Sequence, residues 1–130
     1  MFIVRQTEEF QTWLDGLRDK RAQVRIAARL RLAEAGNLGD WAPVGGDISE
    51  MRVDVGPGYR LYFTRRRSVL IVMLCGGDKS TQKGDIRRAR EIARQVKEAA
   101  RTDAKGDANA ANRKAKPTAK AKRAPKPRKG

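Results

Sequence analysis

The last thirty residues set the terms for the whole chain. Residues 101–130 contain no Val, Ile, Leu, Met, Phe, Trp, Tyr or Cys, and carry 11 Lys and Arg against two Asp, a net charge of +9. Such a segment buries too little apolar surface to offset the entropy of ordering it. The sequence therefore predicts one folded domain over residues 1–100 and a disordered Lys/Ala/Pro-rich tail over 101–130. About 100 residues suffice for one ordinary domain. That domain holds 19 Lys and Arg and 13 Asp and Glu, a net +6, so more than half of the total +15 sits in the tail.

Composition removes several classes of chemistry. One Cys, Cys75, excludes an internal disulfide and a Cys-cluster zinc site. With no His there is no imidazole base, and no metal or other cofactor is expected. The longest apolar run, residues 69–75, is far short of the ~20 residues of a membrane-spanning helix. The N-terminus lacks the pattern of a signal peptide. The expectation is a cytoplasmic protein without a membrane partner. Excess Lys and Arg points to a polyanion, RNA or DNA first.

Periodicity supplies the elements. Residues 2–6 read as a strand. Thr7 caps a helix with Phe10, Trp13, Leu14 and Leu17 on one face. A second helix over residues 19–35 has the stripe Ile26, Ala27, Leu30 and Ala33 and ends at Gly36-Asn37. Gly39, Pro43, Gly45 and Gly46 make residues 38–47 read as a loop. Residues 48–55 and 59–64 alternate about a Gly56-Pro57-Gly58 turn. In the first of these strands Glu50, Arg52 and Asp54 share the polar face; in the second Arg60, Tyr62 and Thr64 do. Arg65, Arg66, Arg67 and Ser68 form a charged turn before a buried strand over 69–75. A last helix, capped by Ser80 or Thr81, buries Ile86, Ala89, Ala93 and Val96. The order is β-α-α-β-β-β-α, an α+β fold with a small antiparallel-rich sheet packed against helices.

That order, with certain motifs, resembles the RelE/ParE superfamily of bacterial toxins. The motifs are Ser49-Glu50-Met51-Arg52, Gly56-Pro57-Gly58-Tyr59-Arg60-Leu61-Tyr62-Phe63 and Gly76-Gly77-Asp78-Lys79-Ser80-Thr81-Gln82. The last of these looks like the HigB-like addiction module killer branch. The resemblance covers roughly residues 2–99. It implies a toxin neutralised by a cognate helix-turn-helix antitoxin. RelE-like members cut messenger RNA in the ribosome; ParE-like members poison DNA gyrase. Carried over, the resemblance makes Arg60 the motif arginine of its strand, Arg52 a basic residue of the neighbouring strand, and Lys79 a basic residue after the last strand. The tyrosine of some relatives' last helix has no counterpart here; Lys83 lies close to its place.

RNA cleavage needs neither His nor metal in principle, because ribose supplies the 2′-hydroxyl nucleophile. Arg and Lys can hold the scissile phosphate and neutralise charge that develops on it. Candidate catalytic residues are Arg52, Arg60 and Lys79. Asp78, Lys83 and Glu50 are candidates for proton transfer. Tyr62 is a candidate base-stacking residue, and Arg65, Arg66 and Arg67 candidate RNA contacts. Each has a plainer reading. Arg52 and Arg60 read equally as solvent-facing charges paired with Glu50 and Asp54. Asp78 and Lys79 read as a helix-entry turn, Tyr59 and Tyr62 as packing residues, and Arg65–Arg67 as a hairpin tip that discourages edge association. Trp41 either packs over the sheet or meets an antitoxin. Three functions stand: a ribosome-dependent messenger-RNA endonuclease, a gyrase poison, and a nucleic-acid binder driven by its tail, which is expected to hold nucleic acid without sequence preference.

Overall fold

The computed structural model describes the backbone of residues 1–110 and the side chains of residues 1–99. The tail expected beyond Ala110 lies outside the described residues. Strand β1 (Ile3–Gln6) leads into helices α1 (Glu8–Asp15) and α2 (Lys20–Glu34). Strands β2 (Trp41–Gly45), β3 (Ile48–Val53), β4 (Tyr59–Arg66) and β5 (Leu70–Asp78) follow. A 3-10 turn (Lys79–Thr81) then opens helix α3 (Gln82–Ala110), which runs ten residues past the expected domain boundary at 100. The fold is α+β, with a five-stranded mixed sheet in the order β1-β5-β4-β3-β2. Strand β1 runs parallel to β5, and the other pairs are antiparallel.

Thr7 caps α1 as the sequence places it, and Asp19, the expected first residue of the second helix, is instead its cap. Thr7 accepts from the Phe10 amide, and Asp19 from the amides of Arg21 and Ala22. The helix-entry cap after β5 differs: Asp78, rather than Ser80 or Thr81, caps the 3-10 turn. Strand β2 is the larger correction, because its sequence predicts a loop. Pro and Gly argue against a central strand, but β2 is an edge strand, where a residue without a backbone N–H is tolerated. Its pairing with β3 shifts between Pro43 and Gly45.

Both faces of the sheet are covered. On one, Phe10, Ile26 and Leu30 of α1 and α2 pack on Met51, Leu61, Phe63 and Met73. On the other, Ala89 and Ile92 of α3 pack on Ile48, Tyr62, Val72 and Leu74. The alternation of Arg60, Tyr62 and Thr64 predicts that this second face is polar and solvent-facing. Instead α3 lies on it, and Tyr62 and Thr64 are buried. A bulge adjusts the register: Tyr62 pairs with Cys75 and Phe63 with Met73, so Leu74 is the extra residue. Leu74 and Cys75 therefore both turn to α3.

Two glycines after the bulge allow close approach. A Cβ on Gly76 would meet the Trp13 ring, and one on Gly77 would meet the Asp85 carboxylate. The first lets α1 lie against β5; the second admits the start of α3. Arg88 of α3 also forks onto Glu9 of α1, with its Nη2 at 2.6 Å. No helix among the described residues is long and apolar enough to cross a membrane.

Candidate nucleic-acid interface

The antiparallel register of β3 and β4 sets Arg52 directly opposite Arg60 and Glu50 opposite Tyr62. Residues two apart on a strand share a face, so Glu50, Arg52 and Arg60 converge. Glu50 Oε2 lies 3.5 Å from Arg60 Nη1 and 3.8 Å from Arg52 Nη1. Its other oxygen accepts from Gln82 Nε2 at 3.1 Å. Glu50 is 5% exposed, and the Arg60 side chain 17%. Arg60 is thus mostly buried rather than solvent-facing, because the α3 entry closes over that side of the sheet.

Arg52 is more open and has a second anchor, Asp40, whose Oδ1 accepts from Nη2 at 2.9 Å. Behind this pair, Arg29 of α2 donates to the carbonyls of Arg52 (2.6 Å), Leu38 (3.0 Å) and Asp40 (3.2 Å). One guanidinium therefore fixes the backbone of both partners. A groove of about 250 Å³ opens here, lined by Asp40, Arg52, Arg60, Tyr59, Gly58 and Lys79. Lys79, one of those lining residues, is exposed, its stem against Gly58.

The remaining candidates divide. Asp78 spends one oxygen on the Ser80 amide (2.9 Å) and hydroxyl (2.6 Å). Those bonds hold its carboxyl below the ordinary carboxylate range and make it a poor proton acceptor. Lys83 is exposed on the first turn of α3 and is not among the residues lining the groove. Tyr62 is corrected: it is fully buried under α3, so no base can stack on it. Burial first, and Glu50 second, push its phenol up, and its hydroxyl has no hydrogen-bond partner. Arg65, Arg66 and Arg67 lie at the far end of β4, away from Arg60. Tyr59 belongs to the core. Trp41 packs on Phe63 with ring centroids 6.1 Å apart. Cys75 is buried, its thiol pushed up to about 12 by burial.

The strand pattern pairs Asp54 with the arginines; Asp40 takes that place instead. Asp40, Gln82 and Arg29 have no signal of their own in the sequence. Each comes from a segment remote in sequence from the hairpin, and only the tertiary fold brings it near.

A five-stranded mixed sheet between two helical layers, with paired arginines in a groove beside its central hairpin, defines a compact class of small basic α+β proteins. Within it, this chain belongs to the phage-derived Gp49-like family: the family described as Phage derived protein Gp49-like (DUF891) matches residues 12–98. That family is of the RelE/HigB-like toxin–antitoxin type, and membership implies an antitoxin partner. A Haemophilus influenzae protein named "Uncharacterized protein" is 42% identical over 93 residues, which span 72% of this chain and 94% of the relative. No solved structure matches the chain.

Proposed function

We propose that this protein is the toxin of a toxin–antitoxin pair, acting in the cytoplasm as a ribosome-dependent messenger-RNA endonuclease. The observation that carries the reading is the cross-strand pair Arg52–Arg60, held by Glu50 and lining one groove with Lys79. Two guanidiniums in register present parallel donors to one phosphate, and arginine forks suit that geometry. Glu50 fixes their rotamers before substrate arrives, so little reorganisation is needed as charge builds on phosphorus.

The reaction is attack of the ribose 2′-oxygen on the adjacent phosphorus, with departure of the 5′-oxygen. It leaves a 2′,3′-cyclic phosphate and a 5′-hydroxyl. The 2′-hydroxyl proton passes to solvent water, Arg52 and Arg60 neutralise the phosphoryl oxygens, and the Lys79 ammonium donates a proton to the departing 5′-oxygen and regains one from solvent. Alignment of the RNA contributes on the order of 7–11 kcal/mol in well-oriented reactions. A helix-turn-helix antitoxin would silence the protein by covering this groove or keeping it off the ribosome.

Expression of the full chain without antitoxin, followed by mapping of RNA ends, tests the proposal. Cyclic-phosphate ends within translated messages are expected. Intact messages with trapped gyrase–DNA complexes would overturn it in favour of a gyrase poison. Intact messages and intact gyrase with strong nucleic-acid binding would make it a tail-driven binder.

A further inference from the structure

We propose that the groove between the β4–β5 turn and α3 is a second RNA-backbone site, distinct from the Arg52–Arg60 groove. It rests on the reading above only for the choice of RNA as its polyanion. The groove has a volume of about 270 Å³ and is lined by Arg65, Arg66, Arg67, Arg90, Arg94 and Lys97. Arg65 pairs with Ile71 and turns its side chain to the opposite face of the sheet, over Phe2, so one carboxylate, Asp47, stands beside five cationic side chains. Arg60 and Arg66 are six residues apart on β4, so the two grooves lie ~20 Å apart at a strand's usual rise.

Three observations support a ligand here. First, Arg90 has an uncharged partner, donating to the Val44 carbonyl at 3.3 Å. Cations gathered without matching carboxylates repel one another, and a bound polyanion relieves that repulsion. Second, Gly46 lets the Arg90 side chain lie against the turn between β2 and β3, where a Cβ would crowd its Nε, and so holds one guanidinium at the groove. Third, Asp47 (φ 65°) and Arg67 (φ 58°) are the non-glycine residues with positive φ among those described, and both line this groove. Left-handed backbone is unfavourable for arginine, where glycine or asparagine would adopt it readily. Strained positions of this kind gather at ligand clamps.

Several forked guanidiniums on two rigid elements suit a run of phosphates rather than a single anion. Nothing aromatic lines the groove, so bases have no platform and the contact reads no sequence. An RNA long enough to span both grooves would be held at two points, and the second contact would raise the effective concentration of the scissile phosphate at the first.

The test uses full-length protein and a 20-nucleotide 2′-O-methyl oligouridine, which lacks the nucleophile and cannot be cut. Binding is followed by fluorescence anisotropy at several salt concentrations. The variant carrying Arg66→Ala, Arg67→Gly and Lys97→Ala should flatten the log–log salt slope by ~2, at ~0.7 for each phosphate that is no longer neutralised. Its thermal midpoint without RNA should not fall. If the triple variant folds poorly, Lys97→Glu, on an exposed helical position, should weaken binding alone. Unchanged slope and affinity in both variants overturn the proposal. So does loss of binding to a polyglutamate peptide with none to RNA, which assigns the groove to an acidic protein. Loss of RNA binding in a protein that never cleaves messages keeps this groove and removes the endonuclease. Normal cleavage with an unchanged salt slope does the reverse.

Discussion

At the β3–β4 end of the sheet each arginine has a carboxylate, whereas at the β4–β5 end five cations share one. Arg52 and Arg60 are bracketed by Glu50 and Asp40, and Glu50 is tied in turn to Gln82. Arg66 and Arg67 face Arg90, Arg94 and Lys97. The same residue types therefore do different work. A guanidinium fixed by a buried carboxylate has a defined position, which chemistry on one phosphate requires. A guanidinium in a row of others keeps its freedom, which suits a backbone gripped at any register.

Deleting one charge at each end should give opposite results. Arg60→Ala leaves Glu50 buried with Arg52 and Gln82 only, so stability should fall by about 1–3 kcal/mol. Activity should fall by about 10²–10³, the usual effect of losing one donor to developing charge. Arg66→Ala or Lys97→Ala should change stability by less than ~0.5 kcal/mol, in either direction. Thermal melts and RNA-end mapping on the variants measure both. An Arg60→Ala protein with wild-type stability and toxicity would erase the distinction between the ends.

Much of this is legible in the sequence, for local reasons. The cap at Thr7, the Gly-Pro-Gly turn and the two alternating strands follow from short-range chemistry. The turn and the alternation put Arg52 and Arg60 on one side of the sheet, while the register that sets them opposite each other is fixed by the folded pairing. What is not legible depends on distant contacts. A polar-looking face with Arg60, Tyr62 and Thr64 reads as solvent until a helix with Ile86, Ala89 and Ile92 covers it. Pro43 reads as a loop until an edge strand accommodates it. Asp40 and Gln82 become site residues only because β2 and α3 close on the hairpin.

Alkaline pH probes the covered middle of the sheet, between the two ends. The Cys75 thiol stands at about 12 in the folded protein against an ordinary 9.0. Above 9 the unfolded chain gives up that proton while the folded chain keeps it. The folded state then holds more protons than the unfolded, so the contribution is fully present below pH 9 and is lost as pH rises towards 12. The slope is at most ~1.4 kcal/mol per pH unit. Cys75→Ala should flatten the decline between pH 8 and pH 10 in denaturant titrations. An equal decline in both proteins would mean the thiol is not shielded by α3.

Tyr62 separates burial from function next to the paired end. Its hydroxyl is buried without a partner, beside Glu50. Removing an unsatisfied buried hydroxyl while keeping the ring returns about 1 kcal/mol. Tyr62→Phe should therefore melt at the same temperature or higher. A drop would reveal a partner for that hydroxyl and link the core to the Glu50 cluster.

The smallest expected effect belongs to the unpaired end. Arg67 holds φ at 58° in the turn after β4. A non-glycine residue in that region gives up on the order of 1 kcal/mol relative to a residue that tolerates it. Arg67→Gly removes that strain and one of the crowded cations, but it also frees the unfolded chain, which works against the gain. The net change should be a stabilisation below ~1 kcal/mol, with RNA binding weakened at low salt. Stability and binding therefore move in opposite directions at this end, whereas at Arg60 they fall together. If Arg67→Gly lost stability, the guanidinium would be anchoring the turn, and the β4–β5 end would be compensated in the manner of the other.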